Sequence, residues 1–147
     1  MQHKLPILGI LILLAASLPL LAEDSTRVGG YSIHHATLTT DTLAPDIAKA
    51  YGITRSPNRG MINISLIKEQ AGTTGTATAA KVQVNLKRLT GQREEVEMRE
   101  IREESAIYYI GVFGVVTGEK VAFDIQVTPE GAAEPFKTTT SGEFYGR

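Results

Sequence analysis

The chain has 147 residues, with 15 Lys and Arg against 16 Asp and Glu, for a formal net charge of −1. So near-neutral a balance argues against nucleic acid or an anionic membrane as the main partner. No cysteine is present, which excludes a disulfide framework, a lipoprotein anchor and a thiol nucleophile.

Met1 to Lys4 form a short basic start, Leu5 to Leu14 are almost wholly apolar, and Pro19 to Ala22 offer a cleavage site. This is the layout of a secretory signal peptide over 1–22, so the protein is expected in the periplasm. The apolar core is shorter than the roughly 20 residues a membrane span needs. An uncleaved N-terminal anchor, with the apolar stretch extended to Ala22, is the alternative. Cleavage removes Lys4 and takes the balance from −1 to −2. No other segment is apolar enough to span a bilayer, so the mature chain is expected to have no transmembrane part.

Residues 23–30 are polar, end in Gly29-Gly30, and are expected to be a flexible lead-in. A single β domain is expected over 31–147. Tyr31 to Thr40 is rich in Tyr, Ile and Thr and reads as a first strand, with Ile33 and His35 on one face and His34 on the other. Pro45, Asp46 and Gly52 bracket a short helix whose apolar stripe is Ile47, Ala50 and Tyr51. The turn-rich loop Thr54 to Gly60 carries Arg55 and Arg59.

Met61 to Lys68 alternates as a strand, with Ile62, Ile64 and Leu66 inward. Ala71 to Ala80 is small residues, Gly and Thr, and reads as a mobile loop. Lys81 to Leu89 alternates again, on Val82, Val84 and Leu86. Arg93 to Glu104 is dense in Glu and Arg. Its alternation on Val96 and Met98 is broken at Ile101 as a bulge would break it, so an exposed edge strand is expected, with a helix as the alternative.

Ala106 to Val116 is apolar at both parities, the mark of a strand covered on both faces. Val121 to Thr128 alternates cleanly. With Thr117-Gly118-Glu119-Lys120 between them, the two read as a central hairpin closed by a type II′ turn. A turn at Pro129 to Gly131 and a Thr-rich strand over 135–145 complete the chain. The expected fold is all-β: an antiparallel two-sheet sandwich, immunoglobulin-like in architecture, with about seven strands and one short helix.

Several segments in this order resemble a family. They are Tyr31-Ser-Ile-His-His35, Leu43-Ala-Pro-Asp-Ile-Ala48, Tyr51-Gly-Ile-Thr-Arg-Ser56, Asn58-Arg59, Ile62-Asn-Ile-Ser65, Leu89-Thr-Gly-Gln92, Ala106-Ile-Tyr-Tyr109 and Phe144-Tyr145. The chain is similar to the small exported proteins of Gram-negative bacteria grouped as domain of unknown function 4426. That resemblance implies a periplasmic β domain and supplies no activity.

The residues that could carry chemistry are few. His34 and His35 are adjacent in a strand, so they point to opposite faces and cannot readily clamp one ion together. With Met61, Met98 or a carboxylate they could still serve a periplasmic copper-handling protein, the runner-up function. Ser65 lies in no nucleophile turn, the glutamates of 93–104 are interleaved with arginines, and Gly111, Gly114 and Gly118 fit no phosphate-binding fingerprint. These glycines are expected instead to let another backbone or a large side chain approach. No catalytic residue and no cofactor are expected, and the chain reads as a non-enzyme. The leading function is a binding or accessory module of the cell envelope with a protein partner. It would act through the loop residues Tyr51, Arg55, Asn58 and Arg59, or through an edge strand.

Overall fold

The computed structural model of the protein describes residues 24–147, so the signal-peptide expectation for 1–22 lies outside the described residues. These fold as an antiparallel β-sandwich. The chain forms β1 (Asp24–Val28), β2 (Tyr31–Thr39), a 3₁₀ turn (Thr40–Thr42), α1 (Pro45–Ala50), β3 (Arg59–Lys68), β4 (Thr76–Ala77), β5 (Ala80–Arg88), β6 (Arg93–Val96), β7 (Arg99–Glu103), β8 (Ala106–Gly114), β9 (Glu119–Pro129) and β10 (Phe136–Phe144). One sheet runs β1-β2-β3-β8-β7, with β4 pairing β3 beyond the end of β8. The other runs β10-β9-β5-β6.

The two inner faces share one core. Ile33, Ile62, Ile64, Leu66, Tyr109 and Phe113 come from the first sheet, and Val84, Leu86, Val96, Val121, Phe123, Ile125, Val127 and Phe144 from the second. The strict alternation of β3, β5 and β9 makes this possible, because side chains two apart share a face. A second, smaller cluster lies on the outer face of the first sheet. There Leu43, Ala48 and Ile53 from the helical segment pack on Met61 of β3 and Ile110 of β8. Hence β8 is apolar at both parities: Tyr109 and Phe113 face the sandwich core, and Ile110 faces α1. The helix stripe is Ile47, Ala48 and Tyr51 rather than the expected Ile47, Ala50 and Tyr51, and Ala50 is exposed.

Several further expectations are corrected. The lead-in at 23–30 contains a strand: β1 pairs with β2 from Asp24 opposite His35 to Val28 opposite Tyr31. Gly29 and Gly30, at φ +57 and +79, close a two-residue turn of the type I′ class. Thr76–Ala77, inside the expected mobile loop, pairs with β3. The edge strand expected over 93–104 is two short strands in different sheets, β6 beside β5 and β7 beside β8. The chain changes sheets at Glu97 and Met98, and Ile101, where a bulge was expected, pairs regularly with Tyr108 inside β7.

The central hairpin is likewise absent. β8 pairs β3 and β7, whereas β9 pairs β5 and β10, so the run crosses from one sheet to the other at Gly114–Gly118. The amide of Glu119 donates to the carbonyl of Val116 at 3.0 Å, and Gly118 has φ +79. Positive φ at the third turn position belongs to type II, not type II′, and type II splays the flanking strands instead of pairing them. Splitting β6 from β7 and recognising β1 and β4 raises the strand count from about seven to ten.

Candidate functional site

α1 ends in a Schellman motif. The amide of Ile53 donates to the carbonyl of Ala48 at 2.8 Å and that of Gly52 to Lys49 at 3.2 Å, with Gly52 left-handed at φ +65. Ile53 and Ala48 are buried together, which completes the motif. Beyond it, residues 54–58 have no regular partners, and a side chain replaces them. Thr40 is fully buried. Its hydroxyl donates to the Thr54 carbonyl at 2.8 Å, lies 3.2 Å from that of Ser56, and accepts from the Ser56 amide at 2.9 Å. The Asn58 carbonyl accepts from Val115 at 3.0 Å, and the Ser56 hydroxyl accepts from the Asn58 amide at 3.1 Å. The loop backbone is thus fixed while its side chains, Ser56 apart, are exposed.

The four loop residues do not converge on one point. Tyr51 lies against β7: its hydroxyl donates to the Glu103 carboxylate and its carbonyl accepts from the Arg99 guanidinium. Burial, then the Glu103 contact, pushes the phenol up to about 12. Arg55 donates through Nη2 to the Asp41 carbonyl at 2.8 Å. Asn58 and Arg59 stand at the end of the sandwich, where Arg59 opens β3 opposite Gly114. The Arg59 guanidinium has no hydrogen bond or ion pair among the described residues. So Tyr51 and Arg55 hold structure together, and Asn58 and Arg59 remain as surface.

Other residues join them at this end. The amide of Arg147 donates to Asp41 Oδ2 at 2.7 Å, and Gly146 presses on Pro57 so closely that a Cβ there would lie 2.1 Å from that of Pro57. Burial would raise the Asp41 carboxyl, but the bond from Arg147, with contacts to Thr39 and to its own amide, holds it below the usual range. Arg88 ties the end of β5 to the sheet crossing. It pairs with Glu119, donates to the Gly114 carbonyl at 2.9 Å, and reaches Glu94 at 3.6 Å. Glu119 in turn accepts from the Val116 amide at 3.0 Å. Burial would raise Glu119 too, and the Val116 amide and Arg88 outweigh it and keep the carboxyl low.

This scaffold presents the most exposed large apolar side chains among the described residues: Leu89 at 86%, Val116 at 66% and Tyr145 at 59%. Leu89 follows Arg88 directly, Val116 sits in the crossing, and Tyr145 lies near Gly118. Sequence reasoning missed all three. Val116 reads as the tail of a buried run, and only the crossing after Gly114 takes it out of the core.

His34 and His35 point to opposite faces, as their adjacency in a strand requires. His34 is opposite Ser65 and lines a shallow outer cleft with Ile67 and Tyr108. His35 is buried on the inner face, opposite Asp24 of β1 and Ile64 of β3. Burial lowers its pKa, with Asp24 opposing and His34 reinforcing. Met61 is packed under α1, and Met98 is packed against the core. Among the described residues no three His, Cys, Asp or Glu are grouped to hold a metal ion. No helix among them is long and apolar enough to cross a membrane.

Residues 25–146 match the model of a family described as a domain of unknown function, DUF4426. A DUF4426 family protein from Pseudomonas aeruginosa has a similar crystal structure, with a TM-score of 0.70, 28% identity, and coverage of 85% of this chain and 96% of that one. FetP of uropathogenic Escherichia coli is similar in fold alone. Its copper-bound variant gives a TM-score of 0.60 at 10% identity over 86% of this chain and 97% of that one. Its as-isolated form, expressed in the periplasm, gives 0.62 at 11% over 86% and 96%. No curated protein matches the chain.

Proposed function

The chain belongs to the DUF4426 family, and from that premise we propose that it is an exported, non-enzymatic binding module of the cell envelope, acting in the periplasm. The observation that carries this reading is the end of the sandwich. Asn58 and Arg59 project from a loop whose backbone is pinned by Thr40 and Val115, beside exposed Val116, Tyr145 and Leu89. A rigid backbone under exposed Arg, Tyr and aliphatic groups loses little entropy on binding, and Arg and Tyr are the residue types that anchor protein interfaces. The partner is therefore a protein surface with a carboxylate for Arg59 and an apolar patch for Val116 and Tyr145.

The copper-handling reading draws on the copper-bound FetP structure, a likeness of fold alone. The residues here do not fit it well. His34 and His35 diverge, and Met61 is held in the core beneath α1.

The test is site-specific photocrosslinking in the periplasm, with the reactive side chain at position 116 or 145 and a control at Gln83 on the outer face of β5. A discrete adduct at the first two positions and none at the control is expected, and Arg59→Glu should abolish it while circular dichroism stays unchanged. Equal adducts at all three positions, or adducts indifferent to Arg59→Glu, would sink the reading.

A further inference from the structure

The edges of the two sheets are unequally protected. β6 and β7, Arg93–Val96 and Arg99–Glu103, are short and dense in charge, which discourages pairing. β1 is five residues long. β10 is nine residues, Phe-Lys-Thr-Thr-Thr-Ser-Gly-Glu-Phe, uncharged through its middle, and pairs on one side only, with β9. The Phe144 carbonyl accepts from the Gly118 amide at 2.7 Å, so it faces β9. Backbone groups alternate sides along an antiparallel strand, so those of Lys137, Thr139, Ser141 and Glu143 face the free edge.

We propose that this edge pairs with itself: two copies of the chain join β10 to β10, antiparallel about a two-fold axis at Thr140, merging their four-stranded sheets into one. The strand is complementary to its own reverse about that residue. Phe136 falls opposite Phe144, Lys137 opposite Glu143, Thr138 opposite Gly142, and Thr139 opposite Ser141. Lys137 and Glu143 both lie on the exposed outer face, so the axis creates two identical Lys–Glu pairs. Glu143 already stands opposite Lys120 of β9, so charge alternates across the joint, from Lys120 to Glu143 to Lys137 of the second copy. A shift of the axis by one residue puts Lys137 against Ser141 or Tyr145 and loses both pairs. The register is therefore specified by charge, on an edge distinct from the Asn58–Arg59 end.

The test is sedimentation velocity on protein purified from cells expressing the full chain, across a concentration series, with Lys137→Glu, Glu143→Lys and the double swap. The wild type should dimerise. Each single reversal should weaken the dimer roughly tenfold or more, because it turns two attractive pairs repulsive, and the double swap should restore it. Because the chain lacks cysteine, Thr140→Cys gives an independent readout. Directly opposite residues in a non-hydrogen-bonded pair have Cα atoms roughly 4.5 Å apart, within disulfide reach, so oxidation should yield a covalent dimer. A wild type that stays monomeric, a dimer indifferent to the single reversals, or one not rescued by the double swap overturns the proposal.

Discussion

Thr40 shows how much one side chain can organise. It sits at the start of the 3₁₀ turn with no exposed surface, and its hydroxyl serves the amide of Ser56 and the carbonyl of Thr54 in a segment with no ladder of its own. Replacing that hydroxyl with a methyl group leaves those partly buried backbone groups without their partner, at about 1–3 kcal/mol. Thr40→Val should lower the unfolding free energy by that amount in urea titration, and Thr40→Ser should recover most of it. Equal stability of Thr40→Val and the wild type would show that water satisfies the loop instead. The sequence announces Arg55, Asn58 and Arg59 by their types, but nothing in it singles out Thr40 from Thr37, Thr39 and Thr42 beside it. Its role comes from burial, which only the folded chain supplies.

At the scale of elements, the glycines of β8 separate two causes that look alike in sequence. Gly111, Gly114 and Gly118 read together as places where something large approaches. That holds for Gly111, where a Cβ would lie 2.4 Å from Val96 Cγ1 and 2.6 Å from Met98 Sδ. Val96 and Met98 belong to the passage from β6 to β7, so the missing side chain makes room for the chain to change sheets. A Cβ at Gly114 would meet nothing within 4 Å. Gly111→Ala should therefore destabilise by about 1–3 kcal/mol through overpacking, and Gly114→Ala by much less. Thermal melts of the two variants check this, and equal effects would refute the packing account. Most strands and the helix were legible because alternation and capping are local. Which strands pair was not: a crossing and a hairpin both need two alternating runs and a Gly turn, and only the φ of Gly118 and the partners of β8 and β9 distinguish them. β1 was legible in principle, since Gly29-Gly30 is a hairpin signal, but its polar sequence buries too little to register as a strand. It is held at the edge by β2 and by the Thr26–Thr138 hydroxyl contact at 2.9 Å.

At the scale of the whole molecule, the sandwich is closed differently on its two sides. On one side the chain itself passes between the sheets, from β6 to β7. On the other, the first sheet meets the second through Thr26 and Thr138 and through the rings of Tyr31 and Phe136, 5.8 Å apart. His35 is buried on the inner face of β2 next to β1, and burial there favours its neutral form. Burial lowers its pKa below the ordinary 6.5, and the opposing pull of Asp24 does not cancel the shift. In the unfolded chain the imidazole takes up its proton near pH 6.5, while in the folded chain it resists until lower pH. Between those two values the unfolded state binds more protons, so stability falls as pH falls. The slope contributed by one such group is at most about 1.4 kcal/mol per pH unit, and it vanishes above pH 6.5 and below the folded value. Asp41 and Glu119 act in a separate window. Their carboxyls are held low in the fold, so their contribution is complete above the ordinary carboxylate range and is lost only as pH falls through it and below. Urea titrations from pH 8 to pH 3 should accordingly show two declines, one beginning near pH 6.5 and one in the carboxylate range. His35→Gln, which cannot take a charge, should flatten the first and leave the second. An unaltered upper decline in that variant would mean that His35 is not the residue that ties closure of the sandwich to pH.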